Sequence, residues 1–281
     1  MPSNDADGNI PTDNLEDHSI FRRPVRTYVI RAGRMTENEK RSYEELHHVW
    51  CIPFEHRTLN FTDIFNNTNP VTMEIGFGMG HATAQIAQDN PNMNYIGSEV
   101  HVPGVGRLLG EIKKRQLKNL YLIEYDALEI LETMIPDNSL AGFHIFFPDP
   151  WPKKKHHKRR LLQRPRTDLL VSKLSPGGYI YFATDWEEYA LSALEELSCT
   201  EGIHNKYEKF APHQEWRPRT KFEQKGLDAG REIFELVFVK APSLFPHWYD
   251  QWEAQVDAYA EKYDITYYNF LELGEEIGID Y

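Results

Sequence analysis

The sequence predicts an α/β fold, with a mostly parallel central sheet and helices on both faces. Three observations carry the prediction. From residue 71 onward, short apolar runs alternate with helix-patterned stretches, the order a parallel sheet requires. The first run, VTMEIGFG, ends in closely spaced glycines, the sign of a strand turning sharply into a helix. Acidic residues recur where strands should end, and ligands of such sheets bind at the strands' carboxyl ends.

The elements follow in order. Residues 1–20 are acidic and poor in apolar anchors, which predicts a disordered arm. Thr36, with Glu39 three residues on, marks the start of a helix by the capping-box pattern. VTMEIGFG is a strand, HATAQIAQDN a helix, NYIGSEV a strand and VPGVGRLLGEIKKRQ a helix. NLYLIEYD is a third strand, ALEILETMI a short helix and LAGFHIFFPD an apolar strand. RTDLLVSKLSPGG reads as a helix closed by glycines, YIYFATDW as a strand, EEYALSALEELS as a helix and EIFELVFVK as a late strand. The body therefore spans 21–240. Residues 241–281 form an acidic, aromatic extension, with Trp248, Trp252, Val256 and Tyr259 at helical spacing. That extension suits packing on the body, self-association or shielding of a basic face. A monomer and a homodimer are both compatible with the sequence.

Composition narrows the class. Hydrophobic residues make up 41% and charged residues 26%, as in a soluble globular protein. No stretch approaches the roughly 20 apolar residues of a membrane span, and the N-terminus lacks a secretory pattern. Two cysteines, with no Cys-x-x-Cys, exclude a disulfide framework, argue against a structural metal and fit a cytoplasmic protein. The formal net charge is −12, but it is unevenly spread. The two ends hold 14 of the 43 acids and one of the 31 bases, so residues 21–240 carry 29 acids against 30 bases. A polyanionic partner is therefore not excluded, because potential acts locally.

Gly76, Gly78 and Gly80 sit at the first strand-to-helix turn, where glycine admits positive φ and close approach of a ligand. Glu99 follows Gly76 by 23 residues, at the end of the next strand, where an acid accepts from ribose hydroxyls. Asp126 ends the third strand, in reach of an adenine amino group. A nicotinamide dinucleotide competes with S-adenosylmethionine for this loop. The spacing is G-x-G-x-G rather than G-x-G-x-x-G, and Glu74 precedes it. A carboxylate repels pyrophosphate and suits an ammonium, so the residues favour S-adenosylmethionine.

The segment HIFFPDPWPKKKHHKRR holds Asp149 between Pro148 and Pro150, which stiffens the turn at the sheet's carboxyl edge. Residues 153–166 then carry eight Lys or Arg and no acid, a footprint for phosphate. His156 and His157 are adjacent and do not share a helix face, which argues against a metal site.

EIGFGMG, YIGSEVH, FFPDPWPKKKHHKRR, FATDWEEYA and RPRTKFEQKG together resemble the bacterial single-chain tRNA (guanine-N7)-methyltransferase family, in order and over about residues 25 to 240. The resemblance implies a Rossmann-like class I methyltransferase fold dependent on S-adenosylmethionine, with tRNA as partner. It implies methylation of the variable-loop guanosine at tRNA position 46 and no metal. Carried over, Glu74, Glu99, Asp126 and Asp149 contact the cofactor, with Gly76, Gly78 and Gly80 of the loop, and Asp149 is catalytic. Lys153, Asp185, Thr220, Lys221, Phe222 and Glu223 contact substrate. Lys155, His156, His157, Lys158, Arg159 and Arg160 correspond to the RNA-interacting segment. The extension 241–281 has no counterpart in the resemblance. A non-catalytic RNA-binding protein and a methyltransferase for another substrate class are the remaining alternatives.

Overall fold

The structure, a computed structural model, describes residues 25–29 and 33–241, the side chains of Lys221 and Phe222 excepted. The expected arm at 1–20 and all of the C-terminal extension except Ala241 lie outside the described residues.

Helix α1 (Glu37–Trp50) starts as the sequence predicts. Thr36 Oγ1 accepts from the Glu39 amide at 3.3 Å, and Glu39 returns the bond to the Thr36 amide at 2.8 Å. A short α2 (Phe61–Phe65) leads into β1 (Val71–Ile75). Then come α3 (His81–Asp89), β2 (Asn94–Ser98), α4 (Val102–Arg115), β3 (Leu120–Ile123), α5 (Ala127–Thr133) and β4 (Leu140–Phe146). A 3-10 turn (Lys154–Arg159) precedes α6 (Arg166–Lys173), β5 (Leu174–Thr184), α7 (Glu187–Ser198), β6 (Ile203–Asn205), α8 (Lys221–Asp228) and β7 (Phe234–Lys240).

The seven strands form one sheet in the order β3-β2-β1-β4-β5-β7-β6. β1 to β5 run parallel, and β7 inserts antiparallel between β5 and β6. Every residue of β1 and β2 is buried, which explains why these strands read as continuous runs without alternation. One buried cluster, including Met73, Ile96, Phe143, Leu170, Tyr189 and Leu197, fills the face covered by α5, α6 and α7. A second, including Ala84, Leu108, Leu109, Ile112 and Leu122, fills the face covered by α3 and α4. Each such aliphatic side chain contributes about 1.5–3 kcal/mol by leaving water.

Two expectations shift. The helix read as closing at the glycines ends at Lys173, and Leu174 already pairs with Leu140. Pro176 disfavours helical backbone at the residue before it, so the chain extends early. Asp126 does not end β3, which stops at Ile123. Instead Asp126 caps α5, its Oδ1 accepting from the Leu128 amide at 2.9 Å.

The chain winds outward from β1 to β3, then crosses back to place β4 on the other side of β1. The carboxyl ends of β1 and β4 therefore diverge, leaving the crevice where ligands of such sheets bind.

Candidate active site

The β1 end supplies the glycine loop. Gly76, Gly78 and Gly80 have φ of 76°, 58° and 69°, the left-handed region that side chains resist. Their reasons differ. A Cβ on Gly76 or Gly78 would meet nothing within 4 Å, so open space lies over the backbone there. A Cβ on Gly80 would strike Leu108 at 2.7 Å, so Gly80 serves helix packing. Gly104, in α4, was not foreseen: a Cβ there would lie 2.0 Å from the Gly78 carbonyl oxygen. Only glycine lets α4 pass so close behind the loop.

Glu99 ties the loop to the head of α4. Its Oε2 accepts from the Gly78 amide at 2.8 Å, and its Oε1 accepts from the Val100 and His101 amides at 2.7 and 3.0 Å. Glu74 is buried at 5% exposure beneath the loop. Burial, reinforced by the nearby Glu99 charge, pushes its carboxyl up to about 7. Tyr28 lies against Asp126; burial first and then that carboxylate raise the phenol above its ordinary value.

The β4 end supplies Asp149, on a turn whose backbone is unusual. Phe147 and Trp151, neither a glycine, have φ of 52° and 47°. Conformations of this kind cost on the order of 1–3 kcal/mol each and persist only where surrounding contacts hold them. The Phe147 amide donates to Ala183 at 2.8 Å, and Trp151 Nε1 donates to the Thr27 carbonyl at 3.1 Å. The Arg159 guanidinium lies 4.7 Å over the Trp151 ring.

The basic tract divides in two. Lys153, Lys154, Lys155 and Lys158 are exposed, while His156 and Arg159 are half-buried against Trp151 and His157 is half-buried near Glu188. Arg164 pairs with Glu196 at 3.0 Å, and Arg166 donates to the carbonyls of Arg160 and Lys158 at 2.7 and 2.9 Å. Arg160 departs furthest from the expected RNA contact. It is 2% exposed, and its guanidinium is bonded to Glu188 and to the Pro150 carbonyl. A polyanion cannot reach it, so the expectation for Arg160 is corrected.

Asp185, at the end of β5, pairs with Arg231 at 2.8 Å and packs against Gly226 of α8. Thr220 caps α8, its Oγ1 accepting from the Glu223 amide at 3.0 Å. Glu223 is 2% exposed and fully occupied, which removes it from direct substrate contact as the structure stands. Arg217 donates to its two oxygens at 2.7 and 3.0 Å, to Glu235 Oε1 at 2.6 Å and to the Tyr181 hydroxyl at 3.1 Å. Tyr181 in turn donates to Glu235. Sequence reading missed this network, although Thr220-x-x-Glu223 carries the capping-box spacing that announces a helix. Lys221 and Phe222 fall among the side chains not described. Among the described residues, His213, Glu223 and Glu235 have their ligand atoms close enough to share a cation. They surround the Arg217 guanidinium, which already supplies the positive charge.

The structure thus gathers Glu74, the glycine loop and Glu99 at one side of the crevice and the Asp149 turn at the other. The exposed lysines continue outward from that turn. Such a site can hold an adenosine-like ligand and a cationic group beside a second, polyanionic substrate.

Comparison with known proteins identifies the family and the fold. Residues 68–236 match the family described as "Putative methyltransferase". The chain is 46% identical over 226 residues to the tRNA (guanine-N(7)-)-methyltransferase of Nitrosospira multiformis, covering 80% of this chain and 98% of that one. It is likewise 46% identical over 255 residues to the protein of that name in Treponema pallidum, covering 81% and 100%. Among solved structures, the 16S rRNA methyltransferase KamB shares the fold with a TM-score of 0.50 at 14% identity, over 67% of this chain and 96% of that one.

Proposed function

The chain belongs to the tRNA (guanine-N7)-methyltransferase family, and from that premise we propose that it methylates N7 of the variable-loop guanosine of tRNA, at tRNA position 46, with S-adenosylmethionine as donor. The observation that carries the reading is the meeting of the Glu74 loop and the Asp149 turn at the β1/β4 crevice. No helix among the described residues is long and apolar enough to cross a membrane, in keeping with a cytoplasmic tRNA-modifying enzyme.

The residues present fit the donor. The open space over Gly76 and Gly78 lets a ligand lie against backbone, and Glu99, which accepts from three amides, keeps a lone pair on Oε2 for a ligand hydroxyl. Glu74 offers a buried carboxyl to an ammonium, and a carboxyl beneath the loop disfavours the pyrophosphate of the dinucleotide alternative. When bound, S-adenosylmethionine supplies a methyl group made electrophilic by its sulfonium.

Guanine N7 carries a lone pair and no proton, so the transfer needs no general base. The ring becomes cationic as the methyl joins it. Asp149 answers that need: its carboxylate accepts from the N1–H and exocyclic amine of guanine, orients the ring and stabilises the developing charge. Removing one preorganised contact of this kind costs about 3 kcal/mol in the transition state. The prolines on either side hold the carboxylate ready and reduce the reorganisation required. Lys153, Lys154, Lys155 and Lys158 neutralise phosphates and set the register of the tRNA without reading its sequence. In this reading Asp185, which follows β5, and Thr220, the N-cap of α8, are further substrate contacts.

The test is transfer of labelled methyl to unmodified tRNA, followed by digestion and identification of the nucleoside, with Asp149→Ala alongside. 7-Methylguanosine at position 46 from the wild type, lost in the variant, is the expected result. A different labelled nucleoside would overturn the substrate assignment, and full turnover by Asp149→Ala would overturn the role of that carboxylate.

A further inference from the structure

Arg160 ends the run KKKHHKRR, yet it shares almost nothing with the lysines before it. They are exposed, whereas Arg160 is 2% exposed. Its Nε donates to the Pro150 carbonyl at 3.0 Å. Its Nη1 donates to Glu188 Oε1 at 3.1 Å and its Nη2 to Glu188 Oε2, a bidentate pair at the head of α7. The guanidinium carbon, Cζ, lies 4.9 Å from the centre of the Tyr189 ring. Its own backbone closes the 3-10 turn, the amide donating to the His157 carbonyl at 2.8 Å. One side chain thus joins the residue after Asp149, the end of the basic turn and the start of α7.

The Asp149 turn needs such a tie. Its flanking residues Phe147 and Trp151 both hold positive φ. Strained backbone of this kind stays put only when its neighbours over-determine it. Phe147 is held through its amide to β5, and Trp151 through its indole. Between them Pro150 has no N–H to offer, so its carbonyl is the one backbone group through which that residue can be held by a hydrogen bond, and Arg160 donates to it.

We propose that Arg160 is a positioning residue for methyl transfer: it fixes the Asp149 carboxylate through the Pro150 carbonyl, with Glu188 holding the guanidinium, and it makes no contact with tRNA. The proposal rests on the reading of Asp149 given above. A lysine cannot replace it, because an ammonium lacks the planar fork that meets Glu188 and Pro150 together.

The experiment compares Arg160→Met, Arg160→Lys, Glu188→Gln, Lys155→Ala and Asp149→Asn. Single-turnover rate at saturating tRNA, cofactor Kd, the salt dependence of tRNA binding and the melting temperature are measured for each. Both Arg160 variants are expected to lose about 100-fold in rate, the scale of an ångström-sized misplacement of a reacting group. Their cofactor Kd and salt slope stay at the wild-type values, whereas Lys155→Ala flattens the slope. Glu188→Gln, whose side chain is 56% exposed in the wild type and so is safe for folding, falls in rate in the same direction by less. In an Asp149→Asn background, Arg160→Met adds no further loss, because both act through one group. A wild-type rate in Arg160→Lys with a flattened slope in Arg160→Met would instead make Arg160 a phosphate contact. A lowered melting temperature with an unchanged rate would make it structural only, and additive losses would place its action elsewhere. Should Arg160→Met fail to fold, Arg160→Lys and Glu188→Gln decide the matter. Full turnover by Asp149→Asn would sink the Asp149 role and this proposal with it; an inactive Asp149→Asn beside fully active Arg160 variants would sink this proposal alone.

Discussion

Glu74 and His144 are register partners on the adjacent parallel strands β1 and β4, and both are buried, at 5% and 1% exposure. Burial moves them in opposite directions, the carboxyl up to about 7 and the imidazole down to about 3. His144 is therefore neutral at physiological pH, with Nε2 sharing a hydrogen bond with the Tyr179 hydroxyl at 2.8 Å, and lends no charge to its neighbour.

Cofactor affinity should consequently depend on the Glu74 proton. An ammonium beside Glu74 favours the ionised carboxylate, so binding releases a proton. Affinity rises with pH until about 7, where the free carboxyl ionises unaided, and levels off above it. Below that point Kd weakens by up to about tenfold per pH unit. Calorimetry across about pH 5 to 8.5, in buffers of different ionisation enthalpy, measures both the slope and the proton. Glu74→Gln should bind weakly and without this slope. Stability follows the same linkage. Because the folded carboxyl titrates above its unfolded value, its contribution is complete below about 4.5 and lost as pH rises through about 7. Glu74→Gln should therefore melt above the wild type at about pH 8 and not at about pH 4.

Gly104→Ala tests the glycine loop from behind. The new Cβ would stand 2.0 Å from the Gly78 carbonyl oxygen, a contact that backbone can relieve only by moving the loop. The Gly78 amide, which donates to Glu99, moves with it. Alanine is the better helix former, so α4 itself gains. The expected outcome is a cofactor Kd weakened by about tenfold, equivalent to about 1.4 kcal/mol, with helix content retained in circular dichroism. Unchanged affinity would show that the loop relaxes without disturbing the site.

Much of this is legible in the sequence alone, for identifiable reasons. β1 to β5 announce themselves because buried parallel strands read as apolar runs between helix-patterned stretches. The glycine loop, Glu99 and the Asp149 turn are local patterns, and the structure brings them to one crevice. The rest depends on partners distant in sequence. Nothing near Arg160 distinguishes it from Arg159; its fate is decided by Glu188, 28 residues away. Arg217 looks like another surface cation until β5 and β7 place Tyr181 and Glu235 around it. Gly104 reads as a poor helix residue until the loop behind it is known. The short α2 and β6 have too few residues for a period to show.

Removing Arg217 should be costly. Its side chain is fully buried, and Glu223 and Glu235 beside it are each 3% exposed. Arg217→Met leaves two buried carboxylates facing one another without their counter-charge. Breaking a buried pair from one side costs about 3–5 kcal/mol. Urea unfolding should show a loss of that size with an unchanged m-value. Arg217→Lys should recover only part of it, since one ammonium cannot replace bonds to Glu223, Glu235 and Tyr181 together. Because Glu223 also closes the capping box with Thr220, the variant should lose order at the start of α8, read as faster amide exchange at Glu223.

The salt dependence of tRNA binding should separate six of the eight cations of residues 153–166 into two groups. Lys153, Lys154, Lys155 and Lys158 are exposed beside the Asp149 turn, and each is free to release counterions on meeting a phosphate. Replacing one with alanine should reduce the slope of log K against log salt by about one unit and weaken binding to every tRNA alike. Arg164 and Arg166 are already engaged, by Glu196 and by the carbonyls of Arg160 and Lys158. Their alanine variants should leave the slope near the wild-type value, and Arg166→Ala should loosen the 3-10 turn that carries the lysines. The measurement is a filter-binding or fluorescence titration at several salt concentrations for each variant. Equal slope changes at all six positions would mean that the whole tract meets RNA and that the ion pairs open on binding. A change confined to the four lysines would make the tract a short phosphate rail, set by the turn that also presents Asp149.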